Sequence, residues 1–211
     1  MGSLPLFAAS LQERQPLPVQ LFEAAAQRRA LANAYLLTGS ALNDKWELAL
    51  QLAAALNCTG QAQVDSCQSS CLVAAPAGQE CCLNCRWIGK AAHPQAWLCL
   101  KREPDKSKIA VEKARLLCEE ILKSSAYYRV IVINEAERTV FHEAPANALL
   151  KSIEEPGPRC LFLLFSANSE QVLPTIVSRC QVIELHAPYG RGFVQPDSAA
   201  ALGAEALTAL A

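Results

Sequence analysis

The chain has almost no surplus charge of either sign: 19 Lys and Arg against 20 Asp and Glu leave −1 at pH 7 over 211 residues. No global positive field therefore draws it to nucleic acid, and any DNA contact is expected to be local or made through a partner. Long hydrophobic runs are missing too. Those present, such as Leu161–Phe165, fall far short of the ~18 residues needed to span a membrane. Met1–Ser10 has apolar residues but no basic flank, which makes a poor secretory signal. Leu6 stands where N-terminal myristoylation wants Ser or Thr. No internal repeat is visible. What is left is one large domain or two small ones, long enough to bury a core and expected in the cytoplasm without a membrane partner.

Cysteine, by contrast, is plentiful, with ten in the chain. Cys99, Cys118, Cys160 and Cys180 lie in apolar strand or helix patterns and read as small buried hydrophobes. Cys58, Cys67, Cys71, Cys81, Cys82 and Cys85 crowd into one segment. In a reducing cytosol such a cluster points to metal rather than to disulfides.

Around that segment the pattern alternates. Helical spacing runs through Pro18–Asn33, Lys45–Asn57, Ile109–Ser125, Pro145–Glu155 and a short stretch near Gln171–Val177. Apolar strand runs occupy Ala34–Thr38, Gln95–Leu100, Val130–Asn134, Cys160–Phe165 and Cys180–Leu185. Strands alternating with helices predict an α/β domain with a mostly parallel sheet covered on both faces. Residues 188–211 are rich in Pro, Gly and Ala and read as a tail.

The loop Gly39-Ser40-Ala41-Leu42-Asn43-Asp44-Lys45-Trp46 follows the first strand and opens a helix, where a phosphate-binding loop G-x-x-x-x-G-K-[ST] belongs. Gly39 and Lys45 match it. Asp44 replaces the second glycine and puts a negative charge where phosphates would lie, and Trp46 replaces the hydroxyl that would hold Mg²⁺. The strand Val130-Ile131-Val132-Ile133-Asn134-Glu135 carries Asn134 where a metal-binding Asp is needed. Losses at both halves of one site predict a degenerate phosphate loop that binds no ATP.

Cys82-Leu83-Asn84-Cys85 is a C-x-x-C knuckle, which offers two thiolates to a tetrahedral Zn²⁺. Cys58 ends the preceding helix, and either Cys67 or Cys71 supplies the fourth ligand; Cys81 is adjacent to Cys82 and should point elsewhere. His93 is the nearest histidine, but an all-cysteine set is adequate without it, so a closed structural site is expected. Ser178-Arg179-Cys180 leads into the last strand. Arg179 reads either as a surface arginine or as an arginine finger aimed at a neighbour's γ-phosphate. Lys101, Arg102, Lys106 and Lys108 read as a solvated basic loop.

Ala146-Asn147-Ala148-Leu149-Leu150-Lys151-Ser152-Ile153-Glu154-Glu155-Pro156, the Ser178-Arg179-Cys180 run, and a cysteine module followed by His93-Pro94 together resemble bacterial DNA polymerase III clamp-loader subunits. With its degenerate loop, the chain resembles the delta-prime type over residues 17–187. The resemblance implies an AAA+ RecA-like core with a five-stranded sheet over residues 1–187 and a zinc module inserted at residues 58–87. It implies a ring in which this subunit hydrolyses no ATP but presents Arg179 to an adjacent gamma/tau motor. Delta is a further partner; the sliding clamp and primer-template DNA are reached through the complex. In the family's C-x-x-C-x-x-C pattern the residue matching the first cysteine is Gln79, so Cys67 or Cys71 substitutes for it. The family continues into a helical lid and a collar, which this chain is expected to lack. Two other readings stay open: an ATP-binding motor-type subunit, and a zinc-stabilised interaction domain derived from the same fold.

Overall fold

A computed structural model describes residues 5–59, 70–74 and 81–187. Cys67, Gln79 and residues 188–211 lie outside the described residues.

Five strands form one parallel sheet in the order β2-β3-β4-β1-β5: β1 (Ala34–Thr38), β2 (Trp97–Leu100), β3 (Arg129–Ile133), β4 (Cys160–Phe165) and β5 (Gln181–Glu184). Every residue of β1, β3 and β4 is buried, which is why, apart from Thr38 at the end of β1 and Arg129 at the start of β3, these strands are apolar runs rather than alternating ones. Side chains of successive residues serve opposite faces. Tyr35, Leu37, Val130, Val132 and Leu163 face α2 (Pro16–Gln27) and α3 (Leu42–Asn57); Leu36, Ile131, Ile133 and Leu164 face α6 (Val111–Leu122) and α7 (Glu143–Glu154). The sheet covered on both faces is the α/β architecture expected for an AAA+ core.

Several element ends differ from the sequence reading, for local reasons. The helix expected over Pro18–Asn33 stops at Gln27, and Arg29 takes a left-handed backbone (φ 54°). A separate helix α1 (Ala9–Arg14) precedes it. The strand expected from Gln95 begins at Trp97, because the Gln95 and Ala96 N–H groups donate to His93 Nδ1 at 3.3 and 3.0 Å. The helix expected from Pro145 begins at Glu143, so the proline sits in the first turn, whose N–H groups have no intrahelical acceptor. Of the four cysteines expected in the core, only Cys160 is fully buried; Cys99, Cys118 and Cys180 pack half-buried against it. Among the described residues no helix is long and apolar enough to cross a membrane.

Candidate functional site

The phosphate loop lies at the C-terminal edge of the sheet, between β1 and α3, and its surviving residues are occupied internally. Gly39 has φ +93°, and a Cβ on it would lie 2.0 Å from the Leu185 carbonyl oxygen. Its N–H donates to Ala167 O at 3.0 Å. The fold therefore demands glycine here whether or not a phosphate is bound. Gly39→Ala should cost about 1–3 kcal/mol for the left-handed backbone alone, and more for the displaced carbonyl, as read by urea unfolding.

Lys45 is 2% exposed. Its ammonium donates to Gly39 O at 2.6 Å and to Ser166 O at 2.7 Å. Burial pushes its pKa down to about 8, with Glu137 opposing. Between that value and the ordinary 10.5, the unfolded chain holds a proton that the folded one has released. Stability therefore gains with rising pH across this window, and the penalty for the buried charge is present in full below it. Lys45→Met removes the term, so the stability of the wild type relative to this variant should climb across the window; denaturant titrations at its two ends measure it.

Asp44 is buried at the first turn of α3 but does not carry an open negative charge. Arg14 Nε donates to Asp44 Oδ1 at 2.9 Å, Gln15 Nε2 donates to Oδ2 at 2.7 Å, and Arg14 also pairs with Glu47. Burial opposes the Arg14 charge, yet the two carboxylates raise its pKa. Gln15 bonds in addition to the His186 backbone, donating to its O at 2.5 Å and accepting from its N–H at 3.2 Å. The α1–α2 junction is thus stitched to the start of α3 and to the end of the last strand. Trp46 turns onto Phe165 (ring centroids 5.3 Å apart, edge-on) and Trp97 (6.0 Å), filling the layer beneath the loop. Sequence spacing alone places Asp44 among phosphates; in three dimensions it has its own cation.

The cysteine cluster sits at the other end of α3, a helix of 16 residues, or about 24 Å from the loop at 1.5 Å per residue. Cys58 caps that end, Cys71 opens α4 (Cys71–Ala74), and Cys82 is the N-cap of α5 (Leu83–Gly89) with Cys85 in its first turn. The four Sγ atoms of Cys58, Cys71, Cys82 and Cys85 lie within 4.8 Å of one another. Cys58–Cys71 is 3.4 Å and Cys58–Cys82 4.0 Å. A tetrahedron of sulfurs about 2.3 Å from a central ion has edges of about 3.8 Å, so the spacing could hold a metal ion. Burial raises the Cys82 pKa, but the Cys85 N–H and Thr59 groups bonding to its sulfur outweigh it and bring it down to about 6. Burial and the neighbouring sulfurs hold Cys71 and Cys85 up. Four thiolates this close repel one another unless a cation lies among them. Cys71 is the member that sequence spacing leaves open. Cys81 turns away, its Sγ donating to Cys71 O at 3.3 Å. His93 is buried outside the cluster between Trp87 and Tyr127. Asn84 Nδ2 donates to Asn57 O at 2.9 Å, which binds the module to α3.

Arg179 lies between α8 (Pro174–Val177) and β5, at the N-terminal edge of the sheet. The loop Gly39–Lys45 is at the opposite edge. The four residue steps of β1 separate the two edges by about 13 Å, so Arg179 stands at the far end of the strands from its own chain's phosphate loop. Its Nε donates to Glu154 Oε1 at 2.6 Å, and Nη1 to Thr175 O at 2.9 Å and Ser178 Oγ at 3.3 Å. Within the basic loop Arg102 pairs with Glu135 and Lys106 with Glu103, which also takes Lys113 of α6.

Residues 14–188 match the family described as DNA polymerase III, delta subunit. The chain is 28% identical over 175 residues to the DNA polymerase III subunit delta' of Bacillus subtilis, covering 82% of this chain and 48% of that protein. With the delta' subunit of Haemophilus influenzae the identity is 37% over 116 residues, 54% of this chain and 33% of the relative. The tau subunit of Escherichia coli is 32% identical over 158 residues, 74% of this chain and 22% of the relative. A solved DNA polymerase III gamma-subunit-related protein from Thermotoga maritima shares the fold, with a TM-score of 0.50 at 18% identity over 83% of this chain and 47% of its own. The chain spans about half or less of the length of these relatives. The family match runs from the Arg14 that neutralises the loop through the last strand, and the chain belongs to the DNA polymerase III delta-subunit family, in its delta-prime type.

Proposed function

We propose that the chain is a non-catalytic, delta-prime-like subunit of the DNA polymerase III clamp loader, acting in the cytoplasm. It binds no ATP and lends Arg179 to the nucleotide of an adjoining gamma/tau-like motor. Through the motor and a delta partner it helps to load the sliding clamp on primer-template DNA. One observation carries this reading. Lys45, the residue that would reach the phosphates, is engaged by two backbone carbonyls of its own chain, while Arg179 lies at the opposite edge of the sheet. The similarity to tau subunits favours the second reading, an ATP-binding motor, but Asp44, Trp46 and Asn134 weigh against it. Zn²⁺ held by Cys58, Cys71, Cys82 and Cys85 is proposed as structural, since four thiolates leave no open coordination position.

The test is reconstitution with gamma/tau and delta subunits, measuring clamp- and DNA-stimulated ATPase with and without this chain. Added chain should raise the rate while showing no heat of Mg-ATP binding alone. A micromolar dissociation constant for ATP, about −8 kcal/mol, would support the motor reading instead. No association with any clamp-loader subunit would leave the independent interaction domain.

A further inference from the structure

Glu154 is an oddity of α7. It is the last residue of the helix, where the negative end of the helix dipole disfavours a carboxylate. A residue that breaks a local preference calls for a compensating contact, and here the contact is Arg179. The Oε1 of Glu154 accepts the Nε–H of Arg179 at 2.6 Å. The end of α7 is itself pinned, because Asn33, just ahead of β1, donates from Nδ2 to Glu154 O at 2.8 Å. Thr175 O and Ser178 Oγ take Nη1. Bonds at Nε and at Nη1, on opposite edges of the planar guanidinium, thus fix its plane, while among the described residues Nη2 has no acceptor. Asn33, Glu154, Ser178 and Arg179 line one open cleft at this edge of the sheet.

Resting on the finger reading above, we infer that Glu154 is the positioning residue of Arg179. It holds Nε and orients the guanidinium plane so that Nη2 is presented outward to a neighbour's phosphate. An exposed ion pair of this kind adds little to stability, so its value lies in orientation. A free arginine side chain samples many rotamers, and fixing it before the phosphate arrives removes that cost from the reaction step.

The experiment compares Glu154→Ala, Glu154→Gln, Arg179→Ala and the double variant in the reconstituted clamp loader, reading the increment in ATPase that this chain adds. Glu154→Ala should cut the increment about tenfold through kcat, with the KM for ATP and subunit assembly unchanged. Glu154→Gln keeps an acceptor for Nε and should retain most of it. The double variant should fall no lower than Arg179→Ala, because Glu154 acts through Arg179. If Arg179→Ala abolishes the increment but Glu154→Ala keeps it whole, or Glu154→Gln is as poor as Glu154→Ala, the positioning role is wrong and the finger stands. An additional loss in the double variant equally overturns it. If Arg179→Ala has no effect, the finger reading fails and takes this role with it.

Discussion

Arg179→Ala should abolish the ATPase increment that the chain confers on its motor partner while leaving fold and assembly intact. A guanidinium placed on the transferring phosphoryl group contributes about 10³–10⁵ in rate in GTPases that receive one in trans. A loader with several nucleotide sites takes this arginine at one of them, so the bulk rate falls to what the remaining sites supply. The loss of the side chain costs the subunit little. It is partly exposed, and its partners are a solvent-facing Glu154 and groups at the end of the adjoining α8 turn, which puts its share of stability at about 0–1 kcal/mol. Arg179→Lys should rescue poorly: an ammonium keeps the charge but cannot hold Glu154 with one nitrogen and a phosphate oxygen with another in a fixed plane. Unchanged ATPase from a normally assembled Arg179→Ala complex would return Arg179 to the status of a surface residue.

The inner strands β1, β3 and β4 were legible in the chain because they are buried on both faces. Val130–Ile133 and Cys160–Phe165 have no alternation that a helix could share, and their ends differ from the sequence reading by at most one residue. The short helix α1 was not legible: its N-cap Ala8 provides no side-chain bond and its first turn has no acid, so the usual start signals are missing. The site was half legible. Gly39, Lys45 and Asp44 stood out by spacing, yet their roles depend on partners far along the chain. Arg14 is 30 residues from Asp44, and Ser166 is 121 from Lys45. No periodicity encodes such contacts. Similarly, adjacency to Cys82 removes Cys81 from the ligand set on sequence alone, but the choice of Cys71 requires knowing how the chain returns to the end of α3. Glu154 did leave a local signal, an acidic residue in the last turn of a helix, which the dipole argument could have flagged.

Cys82→Ser should release one equivalent of zinc and loosen the inserted module while sparing the sheet. The substitution is clean. Cys82 is the N-cap of α5 and accepts the Cys85 N–H, and serine caps a helix at least as well, so the lost feature is the thiolate ligand and not the helix start. Cys82 is also the sulfur whose bonds to backbone donors favour ionisation at neutral pH, which makes it the first ligand ready for the metal. Without it three sulfurs remain, and affinity should drop by more than the 10–100-fold that even outer-shell changes cost. Because ligands must shed protons to bind, acid should release the ion from the wild type as well. The effect should stay local: the cluster is joined to α3 at the Cys58 end, and the sheet core on its other face is built from α6, α7 and the strands without any of these cysteines. Cys81→Ser is the control. Its sulfur bonds to the Cys71 carbonyl outside the cluster, so metal content should not change. Elemental analysis of protein purified without chelators, together with proteolysis rates in the module, decides the matter. Full zinc retention by Cys82→Ser would remove Cys82 from the ligand set, and no metal in the wild type would reduce the cluster to four neighbouring thiols.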